Sequence, residues 1–303
     1  MYYIILVLTS GAGGGILSAL EDGTMSDSGV VVPRLSPTVA KALLRCPAEA
    51  WRIHRMLGGE RDAPTPAMVD GLVMEHCILG GDDRLAVIDA PDYRSASARE
   101  ARDAALASGL TPVLRSRLDA CAVAAVVIRD RIAEAVGSDL YSRLCSASIQ
   151  HRIEWDDSET SCACVGVLDA LHIADHDAVI FDLKSVSDAH PDNVVNAAYR
   201  GGWHLQAAAY RSAVLHDAGI ELTKMIFVCF EREHPHYVSC VTLSREWMEM
   251  GDSLWRRACA VWRECVARGS WSSYSARGVI ELDAAPWQLR AMQECALEDV
   301  IDA

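Results

Sequence analysis

No apolar stretch of this 303-residue chain approaches the roughly 20 residues that a bilayer-spanning helix needs, and the segment Tyr2 to Leu8 falls far short. No Lys or Arg precedes Arg34, so the positively charged leader of a secretory signal is also lacking. The two absences point away from a membrane and away from export. There is no internal repeat, and the one biased tract is the Gly- and Ser-rich segment 9–29, a composition that buries little. Residues 1–30 are therefore read as a flexible leader, with Met25 a candidate natural start. Eleven cysteines, an odd number without an export signal, read as reduced thiols rather than a disulfide framework. Cys162 and Cys164 stand two apart in an expected strand, but a zinc knuckle wants a second close pair and none follows, which argues against metal there.

Positive charge is scarce as well. The net charge of -14 is unfavourable for binding nucleic acid, where phosphate contacts rest on Lys and Arg. Its distribution is uneven. Arg34, Lys41, Arg45, Arg52, Arg55 and Arg61 face only Glu49 and Glu60, a local balance of +4, whereas residues 281–303 carry six acids against Arg290 and read as an acidic tail. The basic stretch is either a groove for nucleic acid or a solvated helix face.

Half of the residues are apolar, enough for a core, and the length allows one large domain or two small ones. Ser36-Pro37 and Thr65-Pro66 are helix starts, and Pro47 restarts a helix after Cys46. Trp51 and Met56 are expected to continue an apolar side, and Met68, Leu72, Val73 and Leu79 to form the buried stripe of a third helix ending at Gly80-Gly81. Residues 94–109 are Ala-rich and charged. Thr111 to Val136 reads as one long amphipathic helix with Leu114, Leu118, Val123, Val126 and Val127 inward. The period then changes to that of strands at 148–155, 162–173 and 178–185, followed by a helix over 202–216, strands at 225–231 and 236–243, and a last helix through Trp247, Leu254, Trp255, Ala258 and Trp262. This order predicts an α/β (α+β) domain over 31–280: a small mixed sheet flanked by helices.

The informative segment is 165–210. Asp169 is expected to end one strand and Asp182 the next, with the polar turn 174–177 between them, so a hairpin brings the carboxylates together. Strand alternation puts Asp182 and Lys184 on one face. Hard carboxylate oxygens suit Mg²⁺, with Mn²⁺ able to substitute, and a lysine beside such a metal can hold or deprotonate an attacking water. The set fits phosphodiester hydrolysis; the bland reading is a surface ion pair at a strand end.

These residues and their surroundings resemble the phage-type RecE-like exonucleases (the exodeoxyribonuclease VIII family) of the PD-(D/E)XK superfamily. Glu154-Trp155 resembles an acidic-aromatic strand, Asp169 falls at the first motif aspartate, Asp182-Leu183-Lys184 at the D-x-K motif, Asp188-Ala189 at the step that follows, and Gln206 with Tyr210 at the QxxxY helix. The likeness spans about residues 34–275, including the Ser-Pro helix, the Gly-x-Thr-Pro-x-Leu end of 94–114, 230–238 (FEREHPHYV) as the late strand, and Trp271 to Tyr274. It implies a restriction-endonuclease-like core, Asp169, Asp182, Lys184, Gln206 and Tyr210 as catalytic residues, and Asp169, Asp182, Leu183 and one of Glu75 or His76 as metal ligands. The family places a metal-binding His after its third-helix Gly at a spacing that, from Gly71, lands on Glu75, with His76 one further; on a helix these point about 100° apart, so one alone can face a metal. Basic residues usual before the first aspartate are replaced by Val165-Gly166-Val167-Leu168. Cys46 with Cys259, Cys265 and Cys295 resembles the cysteine order of iron–sulfur nucleases related to the superfamily, but the late spacing is too loose, and buried thiols are the better reading.

The resemblance implies digestion of one strand from duplex DNA ends, 5′ to 3′, in a bacterial or phage-infected cytoplasm, with a single-strand annealing protein as partner and a ring-shaped homo-oligomer. The alternatives are an inactive nucleic-acid-binding protein of the same fold and a structure-specific endonuclease.

Overall fold

The computed structural model describes residues 23–25, 31–60, 64–80 and 84–290. Most of the proposed leader, Arg61, Gly81, Cys295 and the tail beyond residue 290 lie outside them. Within the stretch read as leader, β1 (Gly23–Met25) pairs antiparallel with β2 (Val31–Pro33).

The expected helix starts form as the capping chemistry dictates. α1 (Pro37–Arg45) begins at Ser36 and α3 (Pro66–Leu79) at Thr65, and each cap side chain accepts a hydrogen bond from the backbone N–H three residues on, satisfying a donor the helix cannot. Between them lies α2 (Pro47–Ile53). Two short strands were not anticipated: β3 (Leu85–Ile88) pairs in parallel with β4 (Thr111–Leu114), with α4 (Ala96–Ala107) between them. Thr111 therefore opens a strand, and the long helix α5 starts only afterwards, at Arg115, running to Cys145 through a break at Gly137.

The expected inner face of α5 is wrong. Cys121, Ala124, Ala125, Ile128 and Ile132 are buried, whereas Val123 is 71% exposed and Val126 and Val127 also face solvent. Small residues let the helix approach its neighbours closely, and the larger valines were over-weighted. In α2 and α3 the expectation fails at Trp51 and Met68, which are exposed, and holds at Val73, which is buried together with Met74 and Ile78.

The central sheet has the order β5-β6-β7-β8-β9, built from β5 (Ser148–Asp156), β6 (Ala163–Ala174), β7 (Asp177–Val186), β8 (Leu222–Glu231) and β9 (Val238–Val241). All junctions are antiparallel except β7 with β8, whose parallel pairing requires a crossover. That crossover holds α6 (Pro191–Gly201), which the sequence reading missed, and α7 (Trp203–Ala218). The segment 230–238 is a turn between two strands rather than one strand.

The mixed α/β fold is thus as expected, with a core on each face of the sheet. One joins α1, α7 and α8 (Arg245–Arg268) to Trp155, Leu168, Leu171, Ile180 and Phe227; the other joins α3 and α5 to Ala170, Phe181, Leu183 and Val228. Helices α7 and α8 cross so closely that a Cβ on Gly251 would lie 2.2 Å from the His204 carbonyl oxygen. Among the described residues no helix is long and apolar enough to cross a membrane.

Candidate active site

The two aspartates do not end their strands; they end the ladder between them. Pairing of β6 with β7 runs from the turn to Ala170 and Phe181 and then stops. Beyond that point β6 stays with β5 and β7 stays with β8, so the sheet forks at Asp169 and Asp182. Side-chain alternation also slips there: Leu168 and Leu171 face one core and Ala170 the other, although strict alternation would put Leu168 with Ala170. On β5 the position facing Asp169 is Gln150, held at φ 51° and left out of the pairing.

At the fork the backbone N–H of Leu183 donates to Asp169 Oδ2 at 2.8 Å. Asp182 is fully buried, its Oδ1 accepting from Gln206 Nε2 at 2.8 Å and its Oδ2 facing the Lys184 ammonium. Gln206 Oε1 in turn accepts from Lys184 Nζ at 3.0 Å. Gln206 and Tyr210, one turn apart on α7, are joined at 3.2 Å, and the Tyr210 hydroxyl donates to the Val167 carbonyl at 2.7 Å. Tyr210 packs so tightly on β6 that a Cβ at Gly166 would lie 2.9 Å from its ring.

On the third helix it is Glu75 that faces the fork, near enough for its charge to act on Asp169. Gly71 abuts Ser185 of β7, at 3.6 Å from an added Cβ, and Glu75 lies one turn further on the same face. Its carboxylate takes a hydrogen bond from the Gln150 amide, and Arg84 stands 3.7 Å away. His76 points elsewhere, with its Nδ1 buried and without a hydrogen-bond partner among the described residues. Gln150 was missed because nothing in a strand-like sequence marks one residue for a left-handed conformation.

Burial, and then the charges of Asp182 and Glu75, push the Asp169 carboxyl well above its usual range. Burial alone would lower the Lys184 ammonium, but Asp182, Asp169 and Glu75 together hold it above its ordinary value. Burial also raises the Tyr210 phenol, with Asp182 adding to the effect, so it stays a neutral donor. Three carboxylates thus converge on one ammonium. This donor set, all hard oxygen and short of positive charge, suits a divalent cation such as Mg²⁺.

The site opens on a cleft of about 480 Å³ whose lining includes Ser36, Lys41, Arg152, Lys184, Gln206 and Tyr210. The basic stretch divides between the two readings left open for it. Arg34 is buried, donating to the carbonyls of Trp155 and Cys164 and pairing with Glu154, and Arg52 pairs with Glu49. Among the described residues Lys41 is the basic side chain of that stretch that lines the cleft. Arg152 on β5 sits opposite Val167, so the neighbouring strand provides the cation that β6 lacks before Asp169. It was invisible in sequence because the register of β5 against β6 decides which residues are neighbours.

A family model described as a PDDEXK-like domain of unknown function (DUF3799) matches residues 128–280, about half of the chain. The chain belongs to this family. The match contains the sheet, Asp169, Asp182, Lys184, Gln206 and Tyr210, and it places the chain in the PD-(D/E)XK superfamily, whose nucleases generally use divalent metals. The fold is similar to the crystal structure of a "putative exonuclease" from Eubacterium rectale, with a TM-score of 0.51 at 10% identity, covering 83% of this chain and 90% of the other. At that identity the likeness concerns the nuclease-like fold alone. The search of curated proteins gives no match.

Proposed function

We propose that the protein is a metal-dependent DNA exonuclease that hydrolyses phosphodiester bonds from duplex ends. The observation that carries this reading is the fork itself, where Asp169 and Asp182 meet Lys184 beside a cleft holding Lys41 and Arg152. Asp169, Asp182, the Leu183 backbone and Glu75 are the groups that would hold the ion, Mg²⁺ first and Mn²⁺ as a substitute. When bound, such a cation neutralises charge on the phosphate and eases ionisation of the attacking water.

The chain's own residues do the rest. Lys184, held as its ammonium, orients the attacking water, with Nζ fixed by Gln206 and lying 5.9 Å from the Trp203 ring centre. Gln206 keeps Asp182 in place, and Tyr210 anchors Gln206 to β6 through Val167. Lys41 and Arg152, the latter 2.5 Å from Glu154, attract the phosphate backbone into the cleft despite the acidic chain.

The RecE-like resemblance extends the proposal to 5′-to-3′ polarity, a single-strand annealing partner and a homo-oligomeric ring. The test is incubation with linear and circular duplex DNA, with Mg²⁺ or with chelator. Loss of linear DNA alone, and only with metal, is expected. Equal loss of circular DNA would make the enzyme an endonuclease, and loss of neither would leave a binding protein of this fold.

A further inference from the structure

Away from the carboxylates, two thiols that are close in the sequence converge with a third that is distant. Cys164 lies in β6 and Cys162 immediately precedes that strand, two positions away, and both side chains are buried in the same core. There they meet Cys259 of α8, and the three sulfur atoms lie within 4.8 Å of one another. All three residues are fully buried, in the core that also holds Trp155, Trp255 and Trp262. The pair that a zinc knuckle needs is absent from the sequence, but a helix 95 positions on delivers a third sulfur to the same point.

We propose that Cys162, Cys164 and Cys259 bind a thiophilic d¹⁰ cation, Zn²⁺ being the probe, that staples the start of β6 to α8. Thiolate sulfur is the donor such ions select over Mg²⁺, and the oxygen-lined fork selects the reverse, so the chain would carry two metal sites of opposite preference. Asp157 is a buried carboxylate of the same region, but its Oδ1 accepts from the Thr160 N–H and hydroxyl and it lies outside the triangle, so three sulfurs are the donors that the described side chains supply. Each thiol that is still protonated gives its proton to solvent as the ion binds. The proposal does not depend on the nuclease reading.

The full chain, purified under reducing conditions without a metal-binding tag, would be loaded with Zn²⁺ or Co²⁺ and analysed for metal and by absorption spectroscopy. About one Zn²⁺ per chain is expected, held through dialysis. The Co²⁺ form should show thiolate-to-metal charge-transfer absorption, which an ion held by Asp169 and Asp182 cannot give. Cys259→Ser should lose that absorption, and Cys265→Ser, another buried thiol of α8 outside the triangle, should keep it. Should Cys259→Ser fail to fold, protection of the three thiols from alkylation by Zn²⁺ in the unaltered chain reads the same site. A Co²⁺ complex without the thiolate band, no protection by Zn²⁺, or a disulfide within the triangle would overturn the proposal.

Discussion

Asp169→Asn should stabilise the metal-free protein while abolishing its nuclease activity. Burial and the charges of Asp182 and Glu75 raise the folded-state pKa of Asp169 well above its ordinary value of 3.8. Below the ordinary value, folded and unfolded chains both hold the proton and the residue costs nothing. As pH rises above it, the unfolded chain releases the proton first, so stability falls until the raised folded pKa is passed, and the loss then stays constant. Each unit of separation is worth about 1.4 kcal/mol, and for a chain of this size each kcal/mol moves the melting temperature by roughly 2–4 °C. An asparagine keeps an oxygen to accept the Leu183 N–H, now 2.8 Å from Asp169 Oδ2, and has no charge to bury. The variant should therefore melt a few degrees above the unaltered protein at pH 7 in chelator, with the gap closing near pH 4. Added Mg²⁺ should raise the melting point of the unaltered protein and leave the variant where it is. Thermal melts at the two pH values, with and without metal, decide the matter. A variant that melts below the unaltered protein at pH 7 without metal, or a gap that does not change with pH, would refute the electrostatic account of the fork.

Four further outcomes follow from the same geometry. Glu75→Gln should lower activity at least 10-fold while His76→Ala, on a different face of α3, changes it little; steady-state rates across a Mg²⁺ titration check this. Lys184→Ala should leave metal binding intact by calorimetric titration of Mn²⁺ yet slow hydrolysis by about 10²–10⁴-fold, the scale of losing an acid–base group. Gly166→Ala puts a methyl 2.9 Å from the Tyr210 ring, so it should cost about 1–3 kcal/mol in denaturant unfolding and also reduce activity, because Tyr210 carries Gln206 with it. Gly251→Ala would meet the His204 backbone at 2.2 Å, where nothing can swing aside, and should destabilise more than Gly166→Ala while leaving the kinetics of the surviving folded fraction unchanged.

By itself the sequence determined most of the elements and the residues that meet at the fork. Apolar alternation marked β6 and β7, Ser-Pro and Thr-Pro marked α1 and α3, and the thirteen positions between Asp169 and Asp182 sufficed to imply a hairpin with two carboxylates and a lysine. Gln206 and Tyr210, four apart on a helix, were legible as a pair. These signals are local: a cap, a period or a turn is set by residues within a few positions of one another. What the tertiary structure alone decided involves partners distant in sequence. The buried side of α5 depended on how closely its alanines and Cys121 could approach the sheet, which no hydrophobic count reveals. Glu75 was separated from His76 by the docking of Gly71 on Ser185. Arg34 turned from a candidate phosphate ligand into a buried strut, and Arg152 became a cleft residue through the register of β5 on β6. Cys259 joined Cys162 and Cys164 for the same reason: closeness in sequence keeps two sulfurs together, but only the packing of α8 brings the third.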